Sequence, residues 1–211
     1  MTIDAVIFDC DGTLVDSEVL SNEVLVEYVA ELGLVLSLEE AVGRFPGRGL
    51  AVCMAEIERR LGRALPADFE VVLRRRTADV FRERLRPIDG AEALVRGLRL
   101  PYCVASGGPR EKTELTLSLT GLRPYFEGRI FSSYDVGAWK PDPTLFLHCA
   151  DHLGVAPRRC AVVEDTDAGI EAGIAAGMIV FAFDPRHPDR DVPAGVELLG
   201  DLRDLTGYLG R

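Results

Sequence analysis

Short, largely apolar runs recur along the chain at residues 3–8, 102–105, 129–131, 160–163 and 179–183, and the intervals between most of them show helical spacing. Runs of this length bounded by turn residues predict strands. Strands alternating with helices predict an α/β fold on a parallel sheet with right-handed crossovers. One interval breaks the rhythm, because more than ninety residues separate the first run from the second. Within it, Val19, Leu20, Val24, Tyr28 and Leu32 repeat at helical spacing, residues 50–61 and 69–85 do the same, and no strand pattern intervenes. The pattern predicts an inserted α-helical domain over residues 16–86 within a core made of residues 1–15 and 87–211, with Pro87 and Gly90 stopping the last inserted helix. Residues 184–211 read as turns followed by a short helix-like end.

The chain has 211 residues, 47% of them hydrophobic, which suits one sizeable core carrying a small insertion. No apolar stretch reaches the roughly 18 to 20 residues that span a membrane, and the start shows no basic stretch followed by an apolar leader. A cytoplasmic protein with no membrane partner is expected. The net charge of −10 argues against nucleic acid as a partner, since that needs basic surface. It does not exclude an anionic substrate met by a local metal or lysine. Cys10, Cys53, Cys103, Cys149 and Cys160 show no metal-site spacing and mostly read as small buried hydrophobes in a reducing compartment. Of 24 basic residues only Lys112 and Lys140 are lysine, which marks those two positions as ones where a compact ammonium is needed.

Candidate chemistry sits where four of the strands end. After the first comes Asp9-Cys10-Asp11-Gly12-Thr13. Two acids two residues apart in extended chain point the same way. At about 4 Å and an effective dielectric of about 20 they repel by roughly 4 kcal/mol, and a hard cation such as magnesium relieves that. After the second strand, Ser106-Gly107-Gly108-Pro109 offers a hydroxyl and free amides at a helix start, a setting suited to an anion. After the third, Lys140-Pro141-Asp142-Pro143 holds a lysine on a stiff loop, with Asp142 as cap and Pro143 in the first helical turn. After the fourth come Glu164-Asp165-Thr166-Asp167, further candidate metal ligands. Singly, these are also ordinary turn aspartates, a strand-to-helix turn, a surface lysine and helix-capping acids.

Together, in this order, they resemble the haloacid dehalogenase-like superfamily. The resemblance rests on Asp9 to Glu18, Ser106, Trp139-Lys140-Pro141-Asp142-Pro143, Glu164-Asp165 and Ala168-Gly169-Ile170-Glu171-Ala172-Gly173. It is nearest to the sugar-phosphate phosphatases with a helical cap after the first strand, the group that includes β-phosphoglucomutase. It implies a Rossmann-like three-layer core and a magnesium-dependent phosphatase acting on a small-molecule phosphate ester, a sugar phosphate of 6-phosphogluconate type. By resemblance Asp9 is the nucleophile and Asp11 the general acid and base. Magnesium is held by Asp9, Asp11 and Asp165 with Glu164 beside or in its shell. Ser106 with the Gly107 and Gly108 turn grips the phosphoryl group, and Lys140 bridges it to Asp9. Ser17, Ser21, Arg44 and Arg48 are candidate substrate contacts of the cap, Arg48 within a run, Phe45 to Gly49, that looks like a specificity loop.

Other readings fit less well. Haloacid dehalogenases need neither Asp11 nor Asp165. Phosphonatases need a cap lysine, and residues 15–86 contain none. A mutase would carry histidine and arginine where this chain has Ser21 and Leu50. A non-catalytic phosphate-binding protein on the same fold would be expected to have lost part of the set. Arg74-Arg75-Arg76 reads as a solvated helix face, and His148 with His152, at i and i+4, as a helix face rather than a metal pair.

Overall fold

The apolar runs become strands because their side chains can be buried on both faces of a sheet. These are β1 (Ala5–Phe8), β2 (Tyr102–Ser106), β3 (Ile130–Ser132), β4 (Cys160–Glu164) and β5 (Ile179–Phe183), joined at one edge by β6 (Glu197–Leu199). The computed structural model describes residues 2–45, 49–187 and 189–209. Its sheet is six-stranded and parallel, in the order β3–β2–β1–β4–β5–β6. Alternate residues serve opposite faces. Val6, Phe8, Val104 and Val163 pack on one side with Leu94, Val95 and Leu117. Ala5, Ile7, Cys103 and Val162 pack on the other with Leu145, Phe146 and Ala172. The helices behind these residues are α5 (Ala91–Gly97) and α6 (Arg110–Leu119) on the first face, and α8 (Thr144–Leu153) and α9 (Asp167–Ala175) on the second, with α7 (Ser133–Val136) short and following β3. The core is therefore the expected three-layer α/β sandwich; all five cysteines are buried, Cys53 among the inserted helices.

The sequence pattern placed β3 one residue early and missed β6. Residues 184–211 do more than turn: Glu197–Leu199 adds a strand, Phe181 pairing Glu197, before a 3₁₀ turn over Leu202–Gly207. Helix α8 also begins one residue later than expected, with Pro143 before its first residue and the Asp142 carboxylate accepting from Thr144 N at 2.8 Å.

Between β1 and α5 lie α1 (Glu18–Glu31), α2 (Leu38–Arg44), α3 (Leu50–Leu61) and α4 (Phe69–Arg84). They surround an apolar cluster of their own that includes Val29, Ile57, Phe69 and Leu73. At its centre the Tyr28 and Phe69 rings stack with centroids 4.8 Å apart. The chain leaves and re-enters the core through a two-stranded neck, where Val15 bridges Pro87, Asp16 N donates to Arg86 O at 3.0 Å and Ile88 N donates to Leu14 O at 2.9 Å. No helix among the described residues is long and apolar enough to cross a membrane.

Candidate active site

In this strand order the chain moves outward from β1 to β2 and β3, then returns to the other side of β1 for β4. Open α/β sheets form their ligand crevice at the carboxyl ends of strands where the order reverses in this way. Asp9 lies one residue beyond β1, and its N–H donates to Val163 O of β4 at 2.9 Å. The side chain is anchored at the middle of the sheet, with the residue 7% exposed. Gly12 turns the chain away at φ +81°, a conformation that β-carbons resist.

Lys140 meets Asp9 from the loop before α8. Its Nζ donates to Asp9 Oδ1 at 2.5 Å, to Glu164 Oε1 at 2.5 Å and to Ala105 O at 3.0 Å. Glu164 is in turn held at Oε2 by Thr166 N and Thr166 Oγ1, both at 2.9 Å. Burial works against a charged Lys140, but Asp9 and Glu164 outweigh it and keep the ammonium protonated. Asp9 is pushed up to about 8, by burial first and by Glu164 and Asp11, against the pull of Lys140. One ammonium does not offset this collection of carboxylates.

Asp11 is engaged differently. Ser17 Oγ donates to its Oδ1 at 2.5 Å and Lys112 Nζ to its Oδ2 at 2.9 Å. Burial opposes ionisation, yet Lys112, Ser17 and Lys140 prevail and hold the carboxyl below the usual range. Neighbouring acids two residues apart are thus driven in opposite directions, an arrangement that separates a group favouring its proton from one that gives it up.

Asp9, Asp11, Lys140 and Glu164 line a cavity of about 500 Å³ between the core and the inserted helices, within the range of small-molecule sites. Gly107 and Gly108 line it as well, at the start of α6. Ser106 lies beneath them, fully buried, its Oγ accepting from Gly108 N at 3.1 Å. From the inserted helices come Ser17, Ser21 and Arg74.

The donor set suits a hard divalent cation. Asp165 is half-buried next to the turn, its Oδ1 accepting from Thr13 Oγ1 at 3.0 Å. Its pKa is driven well up by burial and by Glu164, Asp9 and Glu18. Asp9 and Asp165 are both destabilised as anions, and a cation between them removes that cost. Among the described residues no three His, Cys, Asp or Glu side chains form a ready cage. Magnesium does not need one, since it takes one or two carboxylates and keeps waters and substrate oxygens for the rest. Both oxygens of Glu164 are already used by Lys140 and Thr166, so its contacts make it the holder of the lysine.

Of the residues singled out in the sequence, Asp9, Asp11, Lys140, Glu164, Ser17, Ser21, Gly107 and Gly108 meet in the cavity, with Ser106 and Asp165 directly beside them. Arg44 does not join them. It closes α2 with its side chain 53% exposed and pairs with Glu40 at 3.1 Å, a turn earlier on the same helix. Arg48, in the candidate specificity loop, lies outside the described residues. Arg74 was expected in solvent and instead lines the cavity, Nη2 donating to Tyr134 Oη at 3.0 Å. Tyr134 and Trp139 form an edge-to-face pair at the rim, and Lys112 reaches Asp11 from α6. Only the rarity of lysine had marked Lys112, and nothing had marked Tyr134. His148 and His152 pack against the Phe131 ring as a helix face.

The family model for haloacid dehalogenase-like hydrolases matches residues 3–177. A 6-phosphogluconate phosphatase of Escherichia coli K12 is 40% identical over 188 residues, 88% of this chain and 85% of that protein. A fructose-1-phosphate phosphatase of the same organism is 32% identical over 182 residues, 82% of this chain and 92% of that protein. A crystal structure of a haloacid dehalogenase-like protein of unknown function from Agrobacterium tumefaciens superposes with a TM-score of 0.83 at 34% identity, covering 98% of this chain and 97% of the other.

Proposed function

The chain belongs to the haloacid dehalogenase-like hydrolases and is a phosphoric monoester hydrolase, and from that premise we propose that it hydrolyses a small sugar phosphate, 6-phosphogluconate-type esters ahead of others. The observation that carries this reading is the convergence of Asp9, Asp11 and Lys140 with the Gly107–Gly108 turn in one cavity.

Asp9 is the nucleophile. Lys140 occupies Oδ1, and no hydrogen bond among the described residues uses Oδ2, which leaves that oxygen to attack phosphorus. The bond from phosphorus to the sugar oxygen breaks, and Asp11 gives its proton to that oxygen. Water then attacks the aspartyl-phosphate, Asp11 takes its proton, and Asp9 and inorganic phosphate are released. Lys112 and Ser17 hold Asp11 ionised in the free protein, the state needed of a base. An arriving phosphate dianion raises the proton affinity of Asp11, as a like charge does, and prepares it as the acid. The Gly107 amide binds a phosphoryl oxygen and the Lys140 ammonium supplies positive charge beside it as charge shifts, with Ser106 and Gly108 shaping the turn through their own hydrogen bond.

Magnesium fits Asp9, the Asp11 carbonyl and Asp165, with Glu164 beside them. When bound, it supplies the positive charge that lets a carboxylate approach a phosphate dianion. Residues 16–86 act as a cap that covers the site, keeps water from the first transfer and contacts the sugar through Ser17 and Ser21. Ser21 brings no base to the cavity, which favours hydrolysis over phosphoryl return to the sugar.

Phosphate release from 6-phosphogluconate, fructose 1-phosphate, glucose 6-phosphate and β-glucose 1-phosphate, with magnesium and with chelator, tests the proposal. Magnesium-dependent release led by 6-phosphogluconate is expected. Release from none of them, or conversion of glucose 1-phosphate to glucose 6-phosphate without release, overturns it.

A further inference from the structure

Helix α4 carries three consecutive arginines whose fates differ. Successive helical residues are turned by about 100°, so three in a row cannot share one environment. Arg75 is exposed. Arg76 lies 4.3 Å from the Tyr28 ring centroid and forks onto Glu31 through both terminal nitrogens. Arg74 lines the cavity with Thr77, Ala78 and Phe81, at the i, i+3, i+4 and i+7 spacing of one helix face.

Arg74, Lys112 and Lys140 are the cations lining the cavity among the described residues. Lys140 is clamped between Asp9 and Glu164, and Lys112 is bound to Asp11. Both are committed to buried or half-buried carboxylates of the core. The ion-pair partner of Arg74 is Glu70, one turn back on α4, contacted through Nε and Nη2. That pair is half-exposed on both sides, at 33% and 47% of the side chains, and such i, i+4 pairs hold an arginine weakly. No hydrogen bond among the described residues uses Arg74 Nη1. The Tyr134 hydroxyl, on the core side of the rim, fixes the Nη2 end.

The acids lining the cavity among the described residues are Asp9, Asp11, Glu18, Glu111 and Glu164. Glu18 stands near Asp11 and Lys112, and burial with the Asp11 charge pushes it up to about 7. A second negative group on a substrate held at Asp9 is unwelcome beside Glu18, and Arg74 is a cation of the same cavity.

We propose that Arg74 binds an anionic group, of carboxylate type, at the end of the substrate remote from its phosphate, and so selects phosphorylated sugar acids over neutral sugar phosphates. This rests on the sugar-phosphatase reading. A guanidinium suits the task because its planar fork matches a carboxylate with two parallel donors.

The test compares 6-phosphogluconate with glucitol 6-phosphate, which replaces the carboxylate by a hydroxymethyl group and leaves the phosphate end alone. Steady-state kinetics are measured for the wild type, Arg74→Met and Arg74→Lys. Binding of both esters is measured by calorimetry in an Asp9→Asn background with and without Arg74→Met. Arg74→Met is expected to raise KM for 6-phosphogluconate by about 10- to 100-fold, the worth of a charged hydrogen bond, with kcat and the glucitol ester changed less than about threefold. Arg74→Lys recovers part of the loss. The same discrimination is expected in binding. A loss shared equally by both esters, or no loss for either, overturns the assignment while phosphate release by the wild type still upholds the phosphatase. A wild type that releases phosphate from no ester refutes the phosphatase reading, and the binding arm then decides for or against Arg74 on its own.

Discussion

Gly169 and Glu164 approach so closely that a β-carbon on Gly169 would lie 1.9 Å from Glu164 Cδ and Oε1. The first turn of α9 is therefore built around the carboxylate that holds Lys140. Alanine normally favours a helix over glycine by about 1 kcal/mol. Overpacking of a buried, hydrogen-bonded group costs about 1–3 kcal/mol, so the clash should win. Gly169→Ala is expected to lower the melting temperature and to reduce kcat/KM by displacing Glu164. A variant as stable and active as the wild type would show that α9 yields freely.

Lys140 joins two carboxylates that are otherwise buried. Removing one partner of such a group costs about 3–5 kcal/mol. Lys140→Met should destabilise the fold markedly and stop turnover. Adding Glu164→Gln removes one of the stranded charges and should return part of the stability without returning activity. Denaturant unfolding of the two single variants and the double variant reads the coupling, and simple additivity would contradict it.

Glu18 gives a pH dependence with a definite sign. Its pKa rises from 4.5 to about 7 on folding, through burial and then the Asp11 charge. The folded protein thus holds this proton more tightly than the unfolded chain. The stability attached to it is fully present below pH 4.5 and lost as pH rises through 7. In metal-free buffer Glu18→Gln, which stays neutral, should melt higher than the wild type at pH 8 and no differently near pH 4. A gain of equal size at both pH values would contradict the assignment.

Asp165 is a strained anion until a cation joins it, so metal and mutation should trade places. Without metal, Asp165→Asn is expected to melt above the wild type. Millimolar magnesium should raise the melting temperature of the wild type, as ligands of the native state do, and leave the variant unmoved. An equal magnesium shift in both proteins would place the ion elsewhere.

The strands of the sheet's centre were legible because their side chains are buried on both faces and read as unbroken apolar runs. Glu197–Leu199 was not, because a three-residue edge strand with one exposed position has almost no pattern to offer. Most catalytic candidates were legible for a related reason: Asp9, Ser106 and Glu164 end or directly follow a strand, so position in sequence fixes position at the crevice, whereas Lys140 lies beyond α7 and was marked by the scarcity of lysine and its proline-flanked loop. The cap residues follow no such rule. Arg44 and Arg74 both sit on helices as charged residues near others of their kind, and only the packing of α4 against the core makes one of them line the cavity. The engagement of Asp11 by Lys112 spans 101 residues of chain and could not be read from spacing.

The most direct test of the account is phosphate release from 6-phosphogluconate, with magnesium, by the wild type and by Asp9→Asn. The variant keeps the shape of the side chain and removes the proposed nucleophile. The account predicts a folded variant with turnover reduced by at least about 10⁴-fold, as for the loss of other covalent nucleophiles. Turnover by Asp9→Asn within tenfold of the wild type would contradict it.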